Sequence, residues 1–420
     1  MSCPPGRRER KFTGKAFYNR GVRVQELPLP PEQALADSAR LVGRIASRIE
    51  SAGGWIGFDA FMQAALYEPG LGYYSGGSRK FGAQGDFVTA PELSPLFGAC
   101  LANQCAQWFA HVPARIWEFG AGSGAMAAQV IAQLVVLGVS EVEYCIVELS
   151  GELRARQRET IAAASPQAAA RVRWLDAWPD EIEGVVLGNE LLDAMPARVF
   201  ARRDGLVFER GVARVGDGPG GPRFGWAERV ADESFARDVS QALAPSLADA
   251  GQDWPGDYAS EIGEQALSWV AEAARRLRRG ALLLVDYGFP SFEFHHPQRD
   301  EGTLMCHYRH RAHTDPFLWP GLQDITVHVD FSAVARVAMH AGLDVLGYAS
   351  QANALLNLGL LELFSALPED SPLAQARRTQ PVHTLIGDAE MGELFKFIAL
   401  GRGLPDDAIA FARSDRRHRL

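Results

Sequence analysis

Apolar positions along this chain alternate between short unbroken runs and stretches with helical spacing, the pattern of strands feeding helices. Ile116, Trp117 and Phe119 form one such run, which Gly120, Gly122 and Gly124 break; Met126, Val130, Leu134 and Leu137 then recur at helical spacing. Strand, glycine turn and helix are predicted there, the first half of a βαβ unit. Further strands are predicted at Glu143–Leu149, Arg171–Leu175, Gly184–Gly188 and Ala281–Val285, with the last two at Leu343–Ala349 and Leu394–Leu400. Apolar helices lie around Ala354–Leu367, between those two. A helix with Ile262, Ala266, Trp269, Ala273 and Leu277 on one face is expected to stop at Gly280. Arg275, Arg276, Arg278 and Arg279 would then sit near its C-terminus, where cations suit the helix dipole.

Ahead of this unit the pattern is different. Leu27–Pro31 reads as an extended hinge, followed by a helix with Leu41, Val42, Ile45 and Ile49 in one stripe, stopped by Gly53 and Gly54. A second apolar helix, Phe58–Tyr67, ends at Pro69 and Gly70. A glycine and tyrosine loop (71–77) and a polar, turn-rich stretch (81–94) precede a helix at Pro95–Ala110. Between the fourth and fifth core strands, short alternating runs at Arg198–Ala201, Leu206–Arg210 and Arg223–Val230 predict a β insertion, with a connector around Trp254 and Pro255.

With 420 residues, 47% hydrophobic and 22% charged, the chain has the makings of a large globular core with additions. A net charge of −9 argues against a broad nucleic-acid footprint and permits cationic partners. The five cysteines include no CxxC pair, so neither a disulfide framework nor a zinc ribbon is indicated. No apolar run reaches the length of a membrane span, and no membrane insertion is expected. Arg7, Arg8, Arg10, Lys11, Lys15, Arg20 and Arg23 make the first residues basic. This fits a solvated tail on a bacterial cytoplasmic protein, the alternative being a presequence for the mitochondrial matrix, although serine is scarce.

The chemistry gathers at strand tips. Glu118-x-Gly120-x-Gly122-x-Gly124 departs from a dinucleotide fingerprint, because Ala125 stands where its last glycine would be. The acid-first spacing resembles motif I of class I S-adenosylmethionine-dependent methyltransferases. Glu148 lies at the end of the second strand, twenty-eight residues past Gly120, where an acid accepts hydrogen bonds from ribose hydroxyls. Asp176 follows the third strand; it suits either an adenine amine or an Asx turn before Pro179. The fourth strand runs into Asn189-Glu190-Leu191-Leu192-Asp193-Ala194-Met195-Pro196. Glu190 and Asp193 could hold a guanidinium by charge-assisted hydrogen bonds, or Asp193 could cap a following helix. His307, His310, His313 and His328 invite a metal, but Arg309 and Arg311 lie among them and would repel one, so a polar loop over the substrate is expected.

Five blocks together resemble the MidA-like methyltransferase family: Gly85–Ser94, Glu118–Gly124, Asn189–Pro196, Tyr308–His313 and Gln323–Phe331. The likeness runs from about Leu35 to Arg402. It implies an α/β fold, a class I Rossmann-like methyltransferase with a seven-stranded mixed sheet, a helical N-terminal addition and a β insertion. The expected divisions are a basic, flexible tail at 1–34, a helical region with a cofactor-covering loop at 35–110, and a core at 111–420 with its insertion at about 197–257. The implied cofactor is S-adenosyl-L-methionine (SAM), lined by Glu118, Gly120, Ala121, Gly122, Gly124, Glu148, Asp176 and Ala177, with Thr89 and Pro91 folding over it. Asn189, Glu190 and Asp193 would adjoin the transferred methyl. Mitochondrial members act in respiratory complex I assembly by methylating an arginine of a complex I subunit, so a protein substrate is implied. Two other readings stay open: a non-catalytic assembly chaperone that keeps the fold, and a small-molecule methyltransferase. The leucine-rich C-terminal region fits either a homodimer interface or core packing.

Overall fold

Seven strands of the computed structural model form the continuous path of the central sheet: β1 (Arg115–Phe119), β2 (Glu143–Val147), β3 (Val172–Leu175), β4 (Ile182–Asn189), β5 (Leu277–Phe289), β6 (Asp344–Ser350) and β7 (Phe395–Arg402), and an eighth, two-residue strand, Val329–Asp330, pairs with the end of β5. The structure describes residues 27–76, 88–139, 141–218, 221–250, 254–368 and 371–420. Residues 1–26 of the basic tail, Gly77 of the glycine and tyrosine loop and residues 81–87 of the turn-rich stretch lie outside them; the last part of the expected 1–34 tail is described, and a helix, Glu32–Ser51, begins within it. Strand order is β3-β2-β1-β4-β5-β7-β6. All run parallel except β7, which is antiparallel to both β5 and β6. Order reverses between β1 and β4, the place where an open α/β sheet leaves a crevice beyond its carboxyl ends.

Both faces of the sheet are covered, which is why its strands read as continuous apolar runs. Alternate residues go to opposite layers. Ile116, Val185, Leu187 and Leu283 pack with Phe97, Leu101, Ile131 and Leu134 of helices Pro95–Trp108 and Ala125–Val136. Trp117, Val186, Leu282 and Leu284 pack with Val270, Ala274, Phe331 and Val334 of helices Glu264–Arg276 and Phe331–His340. Asp330 caps the latter helix, accepting from Ala333 N at 3.0 Å.

Both ends of one expected helix differ from the sequence expectation: it starts at Glu264, and Ile262, expected on its apolar face, ends the strand Asp257–Ile262. The helix ends at Arg276, and Leu277–Arg279 already belong to β5, so Gly280 is a strand residue and Arg278 and Arg279 are not in the helix. Gly280 (φ +139°) crosses so close to β4 that a Cβ there would lie 1.8 Å from the carbonyl oxygen of Gly184. The glycine serves strand contact, not helix termination.

The insertion is a five-stranded antiparallel sheet of Arg198–Arg203, Leu206–Gly218, Gly221–Val230 and Asp257–Ile262, with Ile56–Gly57 added from the N-terminal region. A helix, Glu233–Ala250, precedes its last strand. Phe235, Val239 and Leu243 on that helix pack on Phe200 and Tyr258. Their four-residue spacing was the signal for a helix, in a stretch where the sequence reading places no element. The histidine-rich segment folds as a small antiparallel sheet of Met305–Tyr308, Arg311–His313 and Asp324–Thr326. Its tight turn puts Arg309 (φ +47°) and His310 (φ +60°) in the left-handed region that two-residue hairpin turns require. No described helix is long and apolar enough to cross a membrane.

Candidate functional site

A cleft of about 1720 Å³ opens at the carboxyl ends of β1, β2, β4 and β5. Its floor begins at the glycine turn. Gly120 (φ +69°) and Gly122 (φ +53°) take left-handed backbone, and with Ala121 they line the cleft. Gly124 does not line it. It is the N-cap of helix Ala125–Val136, pressed against Gln157 so that a Cβ would come within 3.0 Å of the Gln157 Cα. Glu118 is fully buried one residue before the end of β1 and accepts from the Tyr144 hydroxyl at 2.7 Å. Burial pushes its carboxyl up to about 7, partly offset by that hydrogen bond.

The short helix Ala90–Leu93 covers this floor. Gln129 Nε2 donates to the Pro91 carbonyl at 2.7 Å, and the Ser123 hydroxyl donates to the Glu92 carboxylate. Thr89 and Pro91 thereby sit in the cleft wall. Glu148, just past β2, accepts from Ser150 N at 2.8 Å and Gln157 Nε2 at 3.2 Å, which leaves its carboxylate oriented at the cleft edge. Arg154 ties the tips of β2 and β3 together: it donates to the carbonyls of Glu148 and Leu175, each at 2.7 Å, and pairs with Asp176. Asp176 and Ala177 line the rim, but the Asp176 side chain is 87% exposed and engaged by that arginine.

The inner end is acidic. Glu190 follows β4 with φ +48°, strained for a residue with a Cβ. The turn is held by Glu190 N donating to Val285 O at 2.8 Å, and by Leu191 N and Leu192 N donating to Asp286 Oδ2 at 3.1 and 2.9 Å. No helix follows Asp193, so it caps nothing; its carbonyl accepts from Val327 N at 3.0 Å and its carboxylate accepts from the Tyr287 hydroxyl. Glu190 is partly accessible at the cleft wall yet surrounded by protein. Burial, then the neighbouring Asp193, push its carboxyl up to about 8. Asp193 is pushed up to about 6 by burial, and Asp286 is raised by burial and by Asp193.

Among the described residues, Glu118 Oε1, Asn189 Oδ1 and Asp193 Oδ1 are buried acceptors with no hydrogen-bond partner. All three residues line the cleft. Unpaired buried acceptors are costly, so this end is built for a ligand that brings donors and positive charge. SAM fits: it is cationic, and the glycine turn and Glu148 leave room and acceptors for its nucleoside. The structure thus brings Thr89, Pro91, Glu118, Gly120, Ala121, Gly122, Glu148, Asp176, Ala177, Asn189, Glu190 and Asp193 to one cleft. Sequence reasoning assigned no role there to Asp286, Tyr287, Asp324, Tyr67 or Tyr74. Asp286 does not line the cleft but braces its wall from within β5; the expected strand stopped at Val285, which put Asp286 at its tip, whereas β5 runs on to Phe289.

A mixed seven-stranded sheet with one reversed strand, a glycine turn after β1 and acids at successive strand tips define a class I SAM-dependent methyltransferase, with SAM as its cofactor. Residues 100–349 match the profile of a family described as S-adenosyl-L-methionine-dependent methyltransferase. The chain belongs to that family, the MidA-like methyltransferases. A crystal structure of a Burkholderia thailandensis protein bound to S-adenosyl-homocysteine is 48% identical and superposes with a TM-score of 0.86, covering 94% of this chain and 100% of that one. Protein arginine methyltransferase NDUFAF7, mitochondrial, of Danio rerio is 28% identical over 389 residues, 86% of each chain. Its Homo sapiens namesake is 26% identical over 440 residues, covering 96% of this chain and 90% of the relative.

Proposed function

We propose that this methyltransferase acts on a guanidino nitrogen of a protein arginine. The observation that carries the reading is the acidic inner end of the cleft, where Glu190 and Asp193 face a space holding unpaired buried acceptors. A guanidinium is a planar cation with donors along its edges, and carboxylates bind it by charge-assisted, bidentate hydrogen bonds. A small apolar acceptor would want an enclosed apolar pocket at this position, whereas carboxylates line it. The relatives named protein arginine methyltransferases favour the same class. By the family resemblance, the arginine belongs to a subunit of a respiratory complex I-type enzyme.

In this reading Gly120, Ala121 and Gly122 lie beneath the nucleoside and Thr89 and Pro91 above it. Glu148 takes the ribose hydroxyls, Asp176 and Ala177 border the adenine, and the spare oxygen of Glu118 takes the ammonium group of the cofactor. SAM supplies a methyl group already activated on a sulfonium. What remains for the protein is alignment and charge. Asp193 and Asn189 orient the guanidinium through their unpaired oxygens. An N–CH₃ bond forms as the S–CH₃ bond breaks, the sulfur leaves as a neutral thioether, and the proton lost from nitrogen goes to the Glu190 carboxylate. The bound cation favours ionised Glu190, offsetting the burial that pushes its carboxyl up.

The test is methyl transfer from isotope-labelled SAM into the proteome of a strain lacking the gene, read by mass spectrometry of digested peptides. Label on arginine side chains is expected. Label confined to small molecules or to other residues overturns the reading.

A further inference from the structure

The N-terminal helices take no part in the sheet. Leu41, Ile45, Ile49, Phe61 and Met62 pack instead against Val199, Val212 and Phe224 of the insertion and against Cys306 and Ile325 of the small sheet. The region nevertheless reaches the acidic end of the cleft. Helix Phe58–Tyr67 ends with Tyr67, whose hydroxyl donates to Ala194 O at 3.0 Å, directly after Asp193. The turn beyond it folds back, with Tyr73 N donating to Ala65 O at 2.9 Å and Tyr74 N to Leu66 O at 2.8 Å. Gly72 permits this, since a Cβ there would lie 2.5 Å from Glu68 N. Tyr74 is thereby delivered to Asp324, donating to its Oδ1 at 2.8 Å, and its ring stacks on Tyr67 with centroids 5.5 Å apart. Tyr67, Tyr74 and Asp324 all line the cleft. Asp324 begins the strand Asp324–Thr326, which leads into Val327, the residue bonded to the Asp193 carbonyl. It is also close enough to raise the carboxyl of Glu190.

We infer that Tyr67, Tyr74 and Asp324 are specificity-determining residues that receive the planar cation of the acceptor, so the N-terminal helical region selects the acceptor while the sheet tips hold the cofactor. This rests on the arginine reading above. A guanidinium carries five donors in one plane, and beyond Asn189, Glu190 and Asp193, which lie together at and just after the end of β4, Asp324 brings a carboxylate to the same end of the cleft from a second element. The tyrosine faces attract a cation, and rings tethered by their hydroxyls are already oriented before it arrives.

The full-length chain is loaded with S-adenosylhomocysteine and titrated calorimetrically with Nα-acetyl-arginine methylamide. Wild type is compared with Tyr74→Phe and Asp324→Asn, and S-adenosylhomocysteine affinity is measured in the same variants. Affinity for the arginine probe falls roughly tenfold or more in Asp324→Asn and severalfold in Tyr74→Phe, as loss of a charged or tethering hydrogen-bond partner implies. S-adenosylhomocysteine affinity stays within about twofold, because none of the three residues belongs to the nucleoside half. Unchanged probe affinity in both variants overturns the inference and leaves the arginine reading standing. Equal loss of both ligands also overturns it, since that marks a structural role. Failure of the wild type to bind the probe overturns the arginine reading itself. Tyr74→Phe removes a single hydroxyl, so the test holds if Asp324→Asn does not fold.

Discussion

Replacing Glu190 with glutamine isolates the charge at the acidic end of the cleft. The substitution keeps the shape of the side chain and the oxygen that accepts from Asn189 Nδ2 at 3.2 Å. It removes the group assigned the proton in methyl transfer. With the carboxyl at about 8 in the free enzyme, about one molecule in ten is ionised at pH 7 and about nine in ten at pH 9. The kcat/KM of the wild type, which reports the free enzyme, therefore rises roughly tenfold over that interval. The guanidinium does not titrate there, so the limb belongs to the enzyme. Glu190→Gln abolishes the limb and lowers kcat by ~10²–10³, the usual share of one acid–base group. Folding responds in the opposite sense. The native carboxyl lies above its unfolded value of 4.5, so this group's contribution to stability is complete below that pH and is lost as pH rises through about 8. The loss is on the order of 2–3 kcal/mol once access from the cleft is allowed for, and the glutamine variant does not show it. Initial rates from pH 6.5 to 9 and urea titrations at pH 4.5 and pH 9 measure the two effects. A flat wild-type profile, or a variant within about threefold of wild-type kcat, would refute the assignment.

Three further perturbations separate cofactor binding from folding. Gly122→Val places a β-branched side chain at φ +53° in the half of the cleft proposed above for the cofactor. A backbone cost of about 1–3 kcal/mol and a blocked approach are expected to abolish S-adenosylhomocysteine binding by calorimetry; retained binding contradicts the placement of the nucleoside. Glu148→Ala removes a carboxylate already oriented by Ser150 N and Gln157 Nε2, so the Kd for S-adenosylhomocysteine rises roughly 10–100-fold, and an unchanged Kd moves the ribose elsewhere. Gly280→Ala directs a methyl to 1.8 Å from the Gly184 oxygen, which costs roughly 3 kcal/mol or more in urea denaturation without touching the cleft; an unshifted midpoint would mean that the strands part easily there.

The core strands were legible because a sheet covered on both faces buries consecutive residues in the middle of its central strands, and unbroken apolar runs such as Val185–Leu187 betray it. The glycine turn and the acids at strand tips were legible for a related reason. Their geometry is local: a strand end, a turn and a helix start determine where Gly120, Gly122 and Glu148 face. Asp193 shows the limit. A helix cap and a cleft-lining carboxylate look alike in sequence, and only the absence of a following helix, with Val327 N on its carbonyl, separates them.

What the amino-acid order determined by itself was the alternation of strand and helix, the cofactor turn and the acidic loop after β4, because each depends on neighbours within about one turn or one strand. Tertiary structure alone decided the acidic end of the cleft. Tyr67 and Tyr74 meet Asp324 across some 250 residues of chain, and Asp286 braces the Glu190 turn from another strand, contacts that no periodicity encodes. Burial in the folded cleft, with Asp193 beside it, is also what pushes the Glu190 carboxyl up. Desolvation depends on everything packed around a group, so it exists only once the chain has folded.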